Sequence, residues 1–303
     1  MSYSVGFLRK DAPFVPEVRS PTVRRRELGA LLRALRNENG LTVEQVAERL
    51  LCSPSKVSRM ETGRGTASPR DIRDLCDLYD VADEAERDRM MRLAHESKQQ
   101  GWWHSHDLDF GTYVGLEEAA VATMYYHSTT IPGLLQTADY ARAVHDVVVP
   151  RLLPERIDEL VEVRMTRQRR LLEDNPPHFT AILDEAALHR VVGGLEVMAA
   201  QLDKVLRMSA LPKVVIQVLP YEAGAHAAME SNFSIVELSA PASDVVFVEG
   251  LIGSVYLDRA QDLDRYHAVF KQLQAIALSP KDTANLIARV SRAHKDNLGS
   301  IAR

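Results

Sequence analysis

The sequence predicts an α+β protein, in which an all-α, five-helix unit precedes an α+β domain with a small, partly antiparallel sheet. Three observations support this fold class. Apolar residues recur at helical spacing between about residues 21 and 98, and cap residues divide this stretch into short helices. After residue 99, runs rich in β-branched residues alternate with helical stretches. The length of 303 residues also exceeds the size, about 250 residues, at which single cores usually stop growing.

The composition is that of a folded globular protein, with 46% hydrophobic and 26% charged residues. The sequence contains neither a run of about 18 apolar residues nor the pattern of a signal peptide. Cys52 and Cys76 are expected to be ordinary buried thiols, and two cysteines are too few for a disulfide framework. We therefore expect a cytoplasmic, nucleoid-associated protein with no membrane partner.

The first part of the chain is predicted from its helix caps. Residues 1–20 show no periodicity and are expected to form a flexible arm, and residues 21–98 form the first domain. Thr42 and Gln45 have the form of a capping box, and Ser53 precedes a proline in the first helical position. The five predicted helices cover about residues 23–39, 42–50, 53–63, 68–78 and 83–95.

Residues 99–303 are predicted to form the second, mixed domain. Strands are expected at residues 179–184, 214–219, 233–238 and 245–248, and residues 252–257 extend the last into a hairpin. Helices are expected at residues 116–126, 137–145, 153–173, 185–191, 195–210, 262–277 and from 279 to about 293.

Charge is distributed unevenly along the chain. The whole protein has a formal net charge of −5, yet residues 22–70 contain ten basic and five acidic side chains. A basic segment within an acidic chain is typical of a surface that faces phosphate groups. Alternatively, the basic side chains form the solvated face of a purely structural helical bundle. A recognition motif in the same segment would favour DNA binding over this alternative.

The third predicted helix has the pattern of a DNA-reading helix. Val57 and Met60 are three residues apart and face the core, which turns the small and polar residues between them outward. Ser55 and Lys56 are expected to touch base edges, Arg59 a guanine or a phosphate, and Thr42 a phosphate beside a helix N-terminus. The full set of predicted DNA contacts is Arg25, Arg26, Thr42, Ser53, Ser55, Lys56, Ser58, Arg59 and Arg64.

Two stretches, residues 41–47 (LTVEQVA) and 53–64 (SPSKVSRMETGR), closely resemble the lambda-repressor-like (XRE) helix-turn-helix family. The resemblance implies a five-helix fold with the third helix as reader, Ala47 as a small packing residue and Glu61 as a structural anchor. Many relatives carry glutamine where this chain has Val43 and Pro54, so two of the family's familiar base or phosphate contacts are absent here.

The second domain is similar to a C-terminal domain of uncharacterised function that is common in actinomycete regulators of the XRE type. The similarity implies control of development or secondary metabolism, often with a small partner protein encoded nearby. The matching stretches are residues 113–117, 131–142, 167–171, 183–188, 217–220, 224–226 and 248–250.

We expect no catalysis, no cofactor and no required metal. His104 and His106 have the spacing of two metal ligands on a strand, but no recognised pattern supplies a third. Two further clusters match no nucleophile elbow or paired-acid site. One comprises Asp184, Glu185 and His189, and the other is the pair His226 and Glu249.

Two roles remain open for the second domain, ligand sensing and protein interaction. A ligand pocket would use aromatic and apolar residues with a few polar groups. Alternatively, the domain mediates homodimerisation or captures a partner protein, as in an antitoxin-like module whose DNA binding serves autoregulation. A two-fold operator requires two copies of the reading helix, so we expect a homodimer on double-stranded DNA. The candidate pocket residues are Trp102, Trp103, Tyr125, Tyr126, Leu134, Gln136 and Tyr140.

Overall fold

A computed structural model describes residues 20–106, 108, 110–148, 152–239, 242–250 and 253–301. The first part is all-helical, with α1 (Pro21–Glu38), α2 (Val43–Arg49), α3 (Pro54–Glu61), α4 (Pro69–Leu78) and α5 (Glu84–Glu96). The second part contains α6 (Gly111–Glu118), β1 (Ala122–His127), α7 (Ala138–Val148), α8 (Pro154–Gln168), β2 (His178–Asp184), α9 (Ala186–His189), α10 (Leu195–Met208), β3 (Val214–Leu219), β4 (Phe233–Glu237), β5 (Val245–Gly250), β6 (Gly253–Leu257), α11 (Ala260–Ile276) and α12 (Pro280–Ile301). The predicted fold class is confirmed.

The helix caps explain why the first part was predictable. Thr42 and Gln45 form the reciprocal capping box of α2. The hydroxyls of Ser53 and Ser68 accept hydrogen bonds from backbone N–H groups in the first turns of α3 and α4, and each is followed by proline. The predicted arm lies outside the described residues except for Ser20, whose hydroxyl caps α1.

The second part is organised around one mixed six-stranded sheet with the order β3-β2-β1-β4-β5-β6. The strands β1, β2 and β3 are parallel, and β4, β5 and β6 are antiparallel to their neighbours. One sheet face packs against residues of α10 and α12, such as Leu202 and Ile287. The other face packs against α11 through Phe270 and Leu273. The central strands of the sheet are therefore buried between two helical layers, whereas the edge strand β6 is largely exposed.

The predicted helix over residues 116–126 is wrong after residue 118, and the observed helix begins earlier, at Gly111. Helix α6 ends at Glu118, and the chain enters β1 at Ala122. Strand β1 lies in the middle of the sheet, between β2 and β4, with both faces covered. Such a strand has consecutive apolar residues, here Tyr125 and Tyr126, and local spacing cannot separate this pattern from a buried helix.

The two parts of the chain pack on each other through the start of α1. Val23 belongs to the core of the second part, beside Tyr113 and Leu116 of α6. Gly115 allows this approach, because a methyl group at its Cα would overlap the hydroxyl of Thr22. Among the described residues, no helix combines the length and apolar character that crossing a membrane requires.

Candidate nucleic-acid interface

The outward face of α3 carries the small and polar side chains of the predicted reading surface. Val57, Met60 and Glu61 are buried, as the helical spacing requires. Arg59 forms no side-chain hydrogen bond or ion pair with any residue that the structure describes, so its guanidinium is free to bind another molecule. The exposed residues from the cap onward are Ser53, Pro54, Ser55, Lys56, Ser58 and Arg59.

A shallow groove of about 260 Å³ runs between α3 and the turn that leads to α4. The backbone N–H groups of Arg64 and Gly65 both donate to the Arg59 carbonyl at 2.9 Å, which holds the turn against the end of α3. Arg64 is exposed on this turn. The groove residues are Ser53, Ser55, Lys56, Arg59, Met60, Gly65 and Thr66.

Lys56 is held by an ion pair that the sequence did not indicate. Its Nζ lies 2.6 Å from Oδ1 of Asp71, a residue that also forms the capping box of α4 with Ser68. Although burial opposes it, the pKa of Asp71 is lowered, because Lys56 and Ser68 donate hydrogen bonds to the carboxylate. A base contact by Lys56 would therefore compete with this ion pair or use one of the two remaining N–H donors of the ammonium.

The predicted phosphate contact Thr42 is exposed at the N-terminus of α2. Its hydroxyl oxygen accepts a hydrogen bond from the backbone N–H of Gln45 at 3.2 Å. The hydroxyl proton has no acceptor among the described residues, which leaves it available to a phosphate oxygen beside the helix end.

Glu61 anchors the buried side of α3 to α1, in the structural role that the XRE resemblance implies. Arg36 of α1 donates two hydrogen bonds to its carboxylate, at 2.6 and 2.9 Å, and a third to the Leu41 carbonyl at 2.9 Å. Burial, with a smaller contribution from Glu61, raises the pKa of the neighbouring Tyr79 to about 12. This network fixes the orientation of α3 relative to α1.

Arg25 and Arg26, predicted to add DNA-backbone contacts, lie near the start of α1, where the two parts of the chain meet. Nη2 of Arg26 is 2.7 Å from Oδ2 of Asp258, between β6 and α11, and burial lowers the pKa of Arg26. Nη2 of Arg25 donates to Thr22, and its Nε is buried without a hydrogen-bond partner. The cause is the packing of the start of α1 on the second part of the chain.

The placement of Arg26 leads to a prediction about salt dependence. Arg26→Ala should leave the slope of log K against log salt for DNA binding unchanged, because the guanidinium is paired with Asp258. Arg64→Ala should flatten that slope by about one, since its side chain is exposed beside α3. Binding titrations at several salt concentrations measure both slopes. An equal decrease for the two variants would mean that Arg26 contacts a phosphate.

The seven predicted pocket residues do not line one pocket. Tyr125 and Tyr126 belong to the cores on opposite faces of the sheet, because side chains alternate along a strand. Gln136 and Tyr140 both hydrogen-bond to the backbone of Ile131, and Leu134 is buried beside them. The two remaining residues, Trp102 and Trp103, pack edge to face at 5.9 Å near α6.

Trp103 nevertheless lines a recess of about 250 Å³ at the junction between the two parts. Arg25 forms its charged wall, and its remaining lining residues are His104, Leu108, Gly111 and Thr112. A small molecule in this recess would contact α1 and α6 together.

Two of the histidines considered for catalysis lie close to acidic residues. Nε2 of His189 is 3.3 Å from Glu185, and Nε2 of His226 is 3.8 Å from Asp184. His226 is not bonded to Glu249 among the described residues. His104 is exposed and His106 is half-buried, while Asp107 lies outside the described residues.

The fold and the outward face of α3 define a helix-turn-helix protein with an appended α+β domain. A family model described as a helix-turn-helix domain matches residues 27–90, which indicates DNA binding by the first part. A second model, described as a domain of unknown function (DUF5753), matches residues 110–289, more than half of the chain. The chain therefore belongs to the DUF5753 family. Neither the comparison with curated proteins nor that with solved structures gave a significant match.

Proposed function

We propose that this protein is a sequence-specific transcriptional regulator that inserts α3 into the major groove of DNA. The observation that carries the proposal is the exposed polar face of α3, on which Arg59 is free of partners among the described residues. A helix with small polar residues at its N-terminus fits the groove and brings Ser55 and Lys56 to base edges. The family match over residues 27–90 supports the same interface.

Two copies of the chain are part of the proposal. One recognition helix covers only a half-site, so a two-fold operator requires a homodimer. Half-sites separated by one helical turn, about 10–10.5 base pairs, are expected. Sedimentation of the protein with and without operator DNA tests this part.

The second part is proposed to regulate DNA binding through a small-molecule effector. The recess at the junction favours this role, because its wall includes Arg25 of α1, the helix that Glu61 ties to α3. An effector there would alter how α1 packs on α6 and thereby the position of α3. A ligand-dependent melting shift of the purified protein supports this role. A shift that requires a co-expressed small protein supports partner control instead.

The reading role of Lys56 gives a further prediction. Lys56→Ala should weaken binding to the selected operator by about 1–3 kcal/mol and relax the preference at one base pair. Binding to unrelated duplexes should change much less, because the base contact is absent there. Fluorescence anisotropy with both duplexes measures the difference. Arg92→Ala, exposed on α5, is the matched control. Equal losses on both duplexes would remove Lys56 from base reading.

A further inference from the structure

One histidine and two carboxylate side chains, all of which can ligate metal ions, come together in the second part of the chain. Glu237 ends β4, Asp244 immediately precedes β5, and His267 lies on α11. One ligand atom from each lies within 4.8 Å of the other two. All three residues are half-buried.

The sheet explains why the two carboxylates face each other. Val236 pairs with Val245 in the antiparallel β4–β5 ladder, so the next pair along is Glu237 opposite Asp244. Like charges in directly opposite positions destabilise a sheet. Within the described residues, neither carboxylate has an ion pair with lysine or arginine, so the repulsion is not offset by a basic side chain.

The alternation of the strands brings the carboxylates to the histidine. Phe233 and Ile235 on β4, like Val246 on β5, face α11, and the same period directs Glu237 and Asp244 to that side. On α11, Leu263 and Phe270 face the sheet, and the position between them at helical spacing is His267. The three side chains therefore meet where the end of β4, the residue before β5 and the sheet-facing side of α11 come together.

Asp244 is also held in place. Its Oδ1 accepts a hydrogen bond from the Leu238 N–H at 2.9 Å, which fixes the carboxylate across the β4–β5 connection. Hydrogen bonds of this kind orient ligating carboxylates in metal sites. Among the described residues, no hydrogen bond or ion pair joins the three groups to one another, so each retains an atom for a shared cation.

We propose that Glu237, Asp244 and His267 bind a divalent transition-metal ion. A point equidistant from three atoms 4.8 Å apart lies about 2.8 Å from each, so small side-chain rotations reach the bond lengths of zinc, about 2.0–2.2 Å. The imidazole favours such ions over Mg²⁺ or Ca²⁺, which prefer ligands made of oxygen alone. This differs from the expectation of no required metal.

The bound ion would link α11 to the β4–β5 hairpin and so hold the helix against the sheet. Three protein ligands leave at least one coordination position open, as in zinc sites that accept water or a further ligand. Asp258, the partner of Arg26, lies two residues before α11 begins, so this contact between the two parts is adjacent to the helix that the ion would hold. Metal binding is measured without DNA, which makes the outcome independent of the proposed function.

The test is Zn²⁺ binding by the full chain, measured by competition with a chromophoric chelator, together with melting curves in metal-free buffer. We expect one Zn²⁺ site that raises the melting temperature, whereas Mg²⁺ has no effect. Glu237→Gln and His267→Ala should each weaken Zn²⁺ binding at least about tenfold. In metal-free buffer, Glu237→Gln should melt at or above the temperature of the unchanged protein, because it removes one of two opposed charges.

The control is the double variant His104→Ala/His106→Ala, which removes the histidine pair that the sequence suggested. Its Zn²⁺ affinity should equal that of the unchanged protein. The proposal is overturned if the unchanged protein does not bind Zn²⁺, or if Glu237→Gln and His267→Ala bind it within twofold of the unchanged protein. A loss of binding confined to the His104→Ala/His106→Ala variant also overturns it. The metal-free melting curve of Glu237→Gln shows whether that variant is folded.

Discussion

Replacing Glu117 by alanine is expected to lower the free energy of unfolding by about 3–5 kcal/mol. Glu117 of α6 accepts two hydrogen bonds from Arg167 of α8, at 2.6 and 2.8 Å, and both side chains are buried. The Tyr125 hydroxyl donates to the same carboxylate at 2.5 Å. Without Glu117, the Arg167 guanidinium is a buried charge with no carboxylate partner. Chemical denaturation measures the loss.

The control for Glu117 is a carboxylate in an exposed ion pair. Glu173 lies 2.7 Å from Arg170 at the surface, and Glu173→Ala should cost no more than about 1 kcal/mol. Replacing Glu117 and Arg167 together by leucine should recover much of the lost stability, since no unpaired charge remains. If Glu117→Ala costs as little as Glu173→Ala, the buried pair does not stabilise the second part of the chain.

The second large effect is expected from Gly29→Ala in α1. An added methyl group would lie 2.6 Å from the Met60 carbonyl oxygen and 2.7 Å from that of Glu61. These are backbone atoms at the end of α3 and cannot rotate away, so α1 and α3 must separate. In an open helix the same change stabilises by about 0.5–1 kcal/mol. In Gly29→Ala we expect the free energy of unfolding to fall by about 1–3 kcal/mol or more, and DNA binding to weaken.

Gly111→Ala is the matched control, because a methyl group at Gly111 would meet its nearest atom, Cδ1 of Trp103, at an ordinary 3.4 Å. This variant should be as stable as the unchanged protein. Melting curves and operator titrations of both variants make the comparison. If Gly29→Ala stabilises the protein, α1 and α3 do not approach as closely as described.

The five helices of the first part could be predicted because their signals are local. The hydroxyl caps at Thr42, Ser53 and Ser68 lie within three residues of the N–H groups they bind, and the inward and outward residues of α3 follow from one period. The predicted succession of a helix-turn-helix domain and a C-terminal domain of unknown function is also confirmed.

The features that were missed depend on contacts between distant residues. Arg26 and Asp258 are 232 positions apart, and Lys56 pairs with a residue on a different helix. Local sequence therefore does not indicate that Arg25 and Arg26, both predicted as DNA contacts, lie at the junction between the two parts. Gly29 gave no signal, because a single glycine in a helical pattern does not reveal which backbone lies against it.

The most direct test of DNA reading by α3 is selection of bound duplexes from a random library, with the full chain and with the Ser55→Ala/Lys56→Ala/Arg59→Ala variant. These three side chains are exposed, so the variant should keep its fold, and loss of the Lys56–Asp71 ion pair should cost no more than about 1 kcal/mol of stability. If α3 reads the DNA, the unchanged protein should enrich one motif with two related half-sites, and the variant should lose the preference at the positions facing α3. Enrichment of the same motif by both proteins would contradict DNA reading by α3.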